Sequence, residues 1–528
     1  MLNKISNLLD KKNSIRGASV ILIITLTLSN VLGMLRDLFL TKNIAVYNLD
    51  IYYAAFRIPD AIFNALILGA ITSAFIPIFS DFLANDKEKD GFRVTNYLVN
   101  LSVMAMVACG VLIIVFMPYL APLVARGFDP YQMHQVIIYS RILTLLPIIF
   151  SVSYLMGGVL NSYKRFAIYS LAPIVYNLAI IAGAAFLAPK FGLIGVIWMV
   201  IAGAFLHFLI QFIQAWRLGY RYQAVVSFAD ASVKRVIRLM IPRSISMGAN
   251  QIMLLTYTSI ASVLAIGSIS AFNLANNIQT MPVVVLGTSF ATAIFPTLTL
   301  AISENKPEEF SFYLNRALRA IGYLLIPASA IFFMLRAQII RLILGHGKFD
   351  WNDTKMTALA LGFLAISILA QGVIPILSRA FYALKNTRTP MYISIATVVL
   401  SIAIGFPLAK LYSVAGLAAA FSIGSYFNAI VLVYFLKKKY PKLLDKSMTS
   451  SYLKTIFATA IMVLAVHFSL PILANYVDMN RFFGVLTQAL IALSIAVIFF
   501  FGTSSLMKQE EMKWAFTRRI NGEKPSEK

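Results

Sequence analysis

Long apolar stretches recur along the whole chain, separated by short polar or Gly/Pro loops: 18–41, 50–80, 97–124, 133–161, 166–188, 193–216, 237–265, 269–301, 312–343, 356–383, 389–410, 413–436, 452–475 and 483–506. A helix needs roughly 20 such residues to cross a bilayer. Hydrocarbon offers backbone N–H and C=O groups no partner, so a spanning segment is either a helix or a strand of a closed barrel. These stretches are too long for barrel strands and lack apolar/polar alternation. The expected fold is therefore an all-α polytopic membrane protein with about fourteen transmembrane helices. At 59% hydrophobic and 12% charged residues, with a mean hydropathy of +0.80, the composition is that of no ordinary soluble domain.

One plan runs through the chain twice. Ser73-Ala-Phe-Ile-Pro77 returns 219 residues later as Thr292-Ala-Ile-Phe-Pro296, and Phe128 of Arg126-Gly-Phe-Asp129 returns 221 later as Phe349 of His346-Gly-Lys-Phe-Asp350. Lys164 matches Lys385, and Leu193-Ile-Gly195 matches Val414-Ala-Gly416, again 221 apart. A solenoid repeats every 20 to 50 residues; a repeat of this size in an apolar chain is how many transporters are built. Six helices per copy is an even number, so both copies enter the membrane from one side and are expected to be parallel lobes. The expected organisation is 1–216 for the first lobe, 217–236 for a cytoplasmic linker, 237–440 for the second lobe, 441–507 for two helices outside the repeat, and 508–528 for a cytoplasmic tail.

The formal charge of +24 follows topology rather than nucleic acid. With the N-terminus in the cytoplasm, cations crowd the cytoplasmic segments: Lys11 and Lys12, Lys87 to Arg93, Lys164 and Arg165, Arg217 to Arg235, Lys385 and Arg388, and Lys437 to Lys439. The opposite loops hold few. This is the positive-inside asymmetry, and it places both termini inside. The first apolar run follows a basic stretch but is too long for a signal peptide and lacks a small-residue cleavage site. Cys109 is alone, and the four histidines have no metal-ligand spacing. No Walker-type phosphate loop is present, and no acidic pair suits a metal-dependent glycosyltransferase, so a transporter is expected and an enzyme is not. No cofactor is implied.

Ionisable groups within a span are functional candidates by default. Arg36 and Asp37 lie in the first span, where Arg36 either lines a cavity or snorkels to the surface. Asp50, Arg57 and Asp60 enter the second from its outer side, Asp50 being also a natural helix cap. Arg141 and Arg243 lie several residues inside their spans, whereas Arg379 is near enough to an end to snorkel. The seventh and eighth spans add Asn250, Gln251, Asn273, Asn276, Asn277 and Gln279, which face a wet cavity or act as interhelical glue. A cavity with many cations and amides but few acids suits an anion.

Gly33-Met-Leu-Arg36-Asp37, Phe56-Arg-Ile-Pro59, Gly69 to Pro77, Leu160-Asn161-Ser-Tyr-Lys-Arg165-Phe166 with Ala172-Pro173, Gly347-Lys-Phe349, and Phe381-Tyr382 through Thr387-Arg388-Thr389-Pro390 together resemble the MurJ (MviN) family of lipid II flippases. The resemblance spans almost the whole chain, and its combination of motifs is specific. It implies membership of the multidrug/oligosaccharidyl-lipid/polysaccharide exporter superfamily, and transfer of an undecaprenyl-diphosphate-linked peptidoglycan precursor from the inner to the outer leaflet of the bacterial cytoplasmic membrane by alternating access of two six-helix lobes. It further implies that Arg36, Asp37 and Asp50 are polar cavity positions and that the last two helices help form a groove for the lipid tail. The chain departs from the family where a usual Arg pair falls on Phe63 and Asn64, a usual Glu on Leu68, and usual arginines on Asn277 and Asn30. The expected substrate-binding set is Arg36, Asp37, Asp50, Arg57, Arg141, Arg243, Asn276 and Asn277, with Arg141 and Arg243 as candidate replacements for the missing cations.

Outward movement of two negative charges across an inside-negative membrane gains about 4 to 5 kcal/mol per 100 mV. Membrane potential can thus bias export, with Na⁺ or H⁺ coupling as the alternative when the cavity cations move with the substrate. The expected partners are the glycolipid and membrane lipids, with the protein a monomer. Rival readings are an exporter of another polyprenyl-diphosphate-linked glycan and a membrane-embedded polyprenyl glycosyltransferase or ligase. Loops this short leave little room for the ligase's acceptor site.

Overall fold

Runs of Leu, Ile, Val, Ala and Phe with no water to satisfy their backbone must close their hydrogen bonds within the segment, and the computed structural model, which describes residues 15–68 and 74–512, is predominantly helical in the described part of each expected span, with no strand among the described residues. The first half comprises Ile15–Asn43, Val46–Phe63 continued by a π-helical turn at Asn64–Leu68, Ile76–Ala84, Glu88–Val124, Pro130–Leu143 followed directly by Leu145–Ser162, Phe166–Ala182, and Leu193–Arg217. The second comprises Ala231–Ser262, Ser268–Pro282 continued by a π-helical turn at Val283–Thr288, Ser289–Ser303, Pro307–Met334 with Arg336–Ile343, Trp351–Ile366 with Ile368–Ala383, and Arg388–Lys439. Lys446–Ala474 and Phe482–Leu506 complete the chain.

Among the described residues, nine helices are long and apolar enough to cross a membrane, or ten when the pair Trp351–Ile366 and Ile368–Ala383, bent by 42°, counts as one span. The figure of fourteen is not reached by that measure: the first expected span, 18–41, overlaps residues whose side chains lie outside the described ones, and the other shortfalls have physical reasons. Arg388–Lys439 counts once although Tyr412 and Ser413 leave helical φ/ψ at the junction of two expected spans. Val46–Phe63 and Ala231–Ser262 carry Asp50, Arg57 and Asp60, and Lys234, Arg235, Arg238 and Arg243, which lower their apolarity.

The duplication is visible in the backbone. The π-turns begin at Asn64 and Val283, 219 residues apart. Asp86 and Asn305, also 219 apart, both have φ near +55° at a helix end, and Lys164 and Lys385 share φ values of 59° and 56°. Gly192 (φ 65°) pairs with Ser413 (φ 54°) at the 221-residue offset. A Cβ on Gly195 would collide with Leu187 and one on Gly416 with Leu408, again 221 residues on, so each glycine is required by the same close helix approach. Asp129 and Asp350, the ends of the matched loop motifs, each start a helix by accepting a backbone N–H, from Gln132 at 2.9 Å and Asp353 at 2.8 Å.

The chain divides into two compact units, one of residues up to Asn273 with His346–Asp353, the other of Leu274–Gly345 with Thr354 onward. The first is packed around Phe63, Phe75, Phe79, Met156, Val159 and Tyr220. In it the segment after Arg217 runs extended along Glu88–Val124. The Asn96 Nδ2 donates to the Arg221 carbonyl at 2.9 Å, and the Asn100 Nδ2 to the carbonyls of Gln223 and Val225 at 2.9 and 2.7 Å. Asp230 then caps Ala231–Ser262 by accepting from the Ser232 and Val233 N–H groups. The second unit is packed around Phe310, Leu314, Ile321, Leu377 and Phe381. Its last two helices close on Pro307–Met334 through Tyr323, Met462, Ala492, Ala496 and Phe500, and Arg319 binds Glu511 at 2.6 Å and Glu510 at 2.9 Å.

Candidate functional site

The first span places its charges as a pair. The Arg36 Nε and Nη2 donate to Asp37 Oδ1 at 3.0 and 2.8 Å, and Nη1 reaches the Asn177 Oδ1 at 3.4 Å. Neighbouring residues project about 100° apart on a helix, but the long arginine stem curls back to its neighbour. The carboxylate is buried, with 2% of its side chain exposed against 23% for the arginine. Arg36 is therefore held among polar partners. Asn177 holds its own place by donating to the Pro173 carbonyl at 3.1 Å.

Arg57 is bound differently. Its Nε donates to Thr258 Oγ1 at 2.7 Å and its Nη2 to Asn273 Oδ1. Both acceptors are neutral, and Asp60, one helical turn on, stands within electrostatic reach. Tyr53 stands within electrostatic reach of Arg36, Asp37 and Arg57 alike. Its hydroxyl is buried and has no hydrogen-bond partner among the described residues, and the same holds for the Asn30 Nδ2. Two arginines and two aspartates balance formally, and beside the guanidinium N–H groups stands the Tyr53 phenol, without a hydrogen-bond partner among the described residues.

Asp50 has another task. It is buried, and its Oδ2 accepts from the Gly267 N–H at 2.6 Å while Oδ1 accepts from the Ser270 N–H at 2.8 Å and the Ser270 hydroxyl at 2.6 Å. It caps a helix, as its residue type suggested, but that helix is Ser268–Pro282 rather than its own, whose N-cap is Ala45. With both oxygens engaged, it is a latch between elements.

The remaining expected residues lie elsewhere. Arg141 is exposed, and its Nε donates to the Ile114 carbonyl at 3.0 Å; it does not join the cluster. Arg243 lies within Ala231–Ser262, and its side chain is outside the described residues. Asn276, in the second unit, accepts from the Gln279 Nε2 at 3.1 Å, and the Gln279 Oε1 accepts from the Gln371 Nε2 at 3.1 Å. Asn277, half-buried beside it, likewise has a partner. Arg379 donates to the Thr292 hydroxyl at 2.8 Å. Sequence reasoning missed Asn177, Thr258, Tyr53 and Ser270; the one signal for Asn177 was an amide one turn beyond Pro173 in an otherwise apolar helix.

The family model described as lipid II flippase MurJ matches residues 45–503. The chain belongs to the MurJ family. Relatives within it include the lipid II flippase MurJ of Burkholderia cenocepacia, 29% identical over 425 residues covering 78% of this chain and 82% of that protein. The probable lipid II flippase MurJ of Rickettsia prowazekii is 25% identical over 498 residues, 93% of this chain and 97% of that one. Among solved structures, the MurJ flippase in an inward closed conformation superimposes with a TM-score of 0.77 at 23% identity, covering 92% of this chain and 98% of that one. An inward-facing multidrug transporter of the MATE family and MOP superfamily gives 0.69 at 14% identity, covering 78% and 94%. At these identities the structural likenesses establish the fold, which is MurJ/MATE-like. Membership of MurJ makes the chain a multi-pass membrane transporter and not an enzyme.

Proposed function

We propose that this protein translocates lipid II, the undecaprenyl-diphosphate-linked peptidoglycan precursor, from the inner to the outer leaflet of the bacterial cytoplasmic membrane, with both termini in the cytoplasm. Family membership supports the substrate class. The observation that carries the site is the partly buried cluster of Arg36, Asp37, Asn177, Tyr53 and Arg57 within membrane-spanning helices. The polar headgroup must cross hydrocarbon while its tail remains in lipid. Guanidinium donors take up diphosphate oxygens in place of water, and Asp37 holds the Arg36 guanidinium in place. Alternating exposure of the cluster to the two membrane faces completes transfer, and the inside-negative potential favours outward movement of the anion. Asp50 is a gating residue in this scheme, because its bonds to Gly267 and Ser270 must be made or broken as a unit.

The test is complementation in a bacterium depleted of its own lipid II flippase. Wild type restores growth and outer-leaflet lipid II, Arg36→Ala and Arg57→Ala at matched expression do not, and the exposed Arg141→Ala does. Failure of well-expressed wild type would exclude lipid II and return the reading to another polyprenyl-diphosphate glycan. Full activity of both cluster variants would remove the anion site.

A further inference from the structure

Away from this cluster, an open recess of about 610 Å³ lies at the start of the Lys446–Ala474 helix, against the end of Phe482–Leu506. Its walls change character along the helix axis. Lys446, Thr449 and Ser450 form the polar end, Lys454 sits midway, and Leu453 and Phe457 form the apolar end. The apolar character then continues as an exposed stripe through Leu464, Phe468 and Ile472, with Leu453 62% and Phe457 55% exposed. A polar, cationic patch running into an apolar stripe on one helix face matches the level where lipid headgroups meet acyl chains.

The cations in the recess are available. Neither lysine forms an ion pair among the described residues. The Lys454 ammonium gives one hydrogen bond, to the Met507 carbonyl at 3.2 Å, leaving two of its three donors unused. The acids nearby are committed elsewhere: Asp445 accepts from the Met448 N–H at 2.9 Å as helix cap, and Glu510 and Glu511 are held by Arg319. Lys446 and Lys454 are eight residues apart, about 12 Å along the helix, with the Thr449 and Ser450 hydroxyls between them. That spacing suits a phosphodiester and its glycerol rather than a single inorganic ion.

We infer that this recess binds an anionic phospholipid of the surrounding leaflet, its phosphate between Lys446 and Lys454 and one acyl chain along Leu453 and Phe457. The inference stands independently of the transported substrate, since it uses none of the partly buried cluster. Its consequence is a lipid seated at the joint of the last two helices, where their packing responds to the anionic content of the membrane.

Full-length protein carrying Phe457→Trp, reconstituted with brominated phosphatidylglycerol or brominated phosphatidylcholine, tests it through quenching of the new tryptophan against the parent protein. Phosphatidylglycerol is expected to quench at roughly thirtyfold lower mole fraction, because each of the two lysines near a membrane surface contributes about 1 kcal/mol. The preference should vanish in Lys446→Gln/Lys454→Gln and persist in Lys446→Arg/Lys454→Arg. Quenching by phosphatidylcholine, unchanged across the variants, shows that the helix remains in place. Equal quenching by the two lipids would overturn the inference. So would survival of the preference in the Gln variant, or displacement of the brominated phosphatidylglycerol by equimolar undecaprenyl diphosphate, which would make the recess a substrate subsite.

Discussion

Asp50 shows how much one side chain can hold. Three donors converge on its two oxygens, two of them backbone N–H groups at the start of Ser268–Pro282. Hydrogen bonds to a charged group contribute about 1.5 to 3 kcal/mol each, so Asp50→Ala should loosen that helix start by at least about 2 kcal/mol. Hydrogen–deuterium exchange of a peptide covering 264–272 should then quicken roughly thirtyfold, and unchanged exchange would dismiss the latch. Asp129 gives a pH-dependent counterpart outside the spans. The Tyr47 hydroxyl and the Gln132 N–H hold its carboxyl below the usual carboxylate range. A depressed folded-state value means the stabilisation is complete above the ordinary carboxylate pKa of about 4 and fades as pH falls through the folded value. The difference in Tm between wild type and Asp129→Ala should therefore be constant near neutrality and shrink in acid; a gap that widens on acidification would reverse the assignment.

The matched turns make the repeat a mechanical statement. A chain can duplicate a helix sequence loosely, because any apolar residue serves, but it cannot duplicate a left-handed turn or a close helix contact loosely. The repeat therefore survives best at Asp86 and Asn305, Lys164 and Lys385, and Gly195 and Gly416. One pair is mismatched to its backbone. Gly192 tolerates φ 65°, ψ −150°, whereas Ser413 adopts φ 54°, ψ −140° with a Cβ to accommodate. Such conformations cost a non-glycine residue about 1 to 3 kcal/mol. Ser413→Gly is thus expected to raise the Tm of the purified protein, despite the extra freedom it gives the unfolded chain, and a fall in Tm would show that the surroundings relieve the strain. The expected spans follow the same logic: Val46–Phe63, which carries Arg57 with Asp50 and Asp60, is less apolar than the helices without charge inside them.

Among the described residues, the proposed site and the polar network at the last two helices are separate sets of groups. The polar cluster of Arg36 and Arg57 leaves the Tyr53 hydroxyl without a partner among the described residues, whereas in the network of Arg319, Glu511 and Ser451 both Arg319 and Ser451 donate to the Glu511 Oε1 at 2.6 Å. Removing one partner of a buried ion pair costs about 3 to 5 kcal/mol. Glu511→Ala should therefore lower Tm markedly and loosen the last two helices, while any residual lipid II transfer per folded molecule stays near wild type. Loss of transfer without loss of stability would instead place this network in the transport cycle.

The sequence alone determined the class of fold, because long apolar runs admit one backbone solution in hydrocarbon. It also determined the duplication, because turns and close contacts demand particular residues, and the family, because several short motifs recur together. Arg36 and Asp37 were legible as candidates, since charge inside a span is costly and so conspicuous. Their partners were not. Asn177, Thr258 and Tyr53 are unremarkable in a helix, and only packing decides which of many such residues meets a guanidinium. Tertiary structure likewise separated Arg57, held inward, from Arg141, which reaches out to a backbone carbonyl. It also assigned Asp50 to another helix. Burial and direction are properties of the packed chain, and linear order does not encode them.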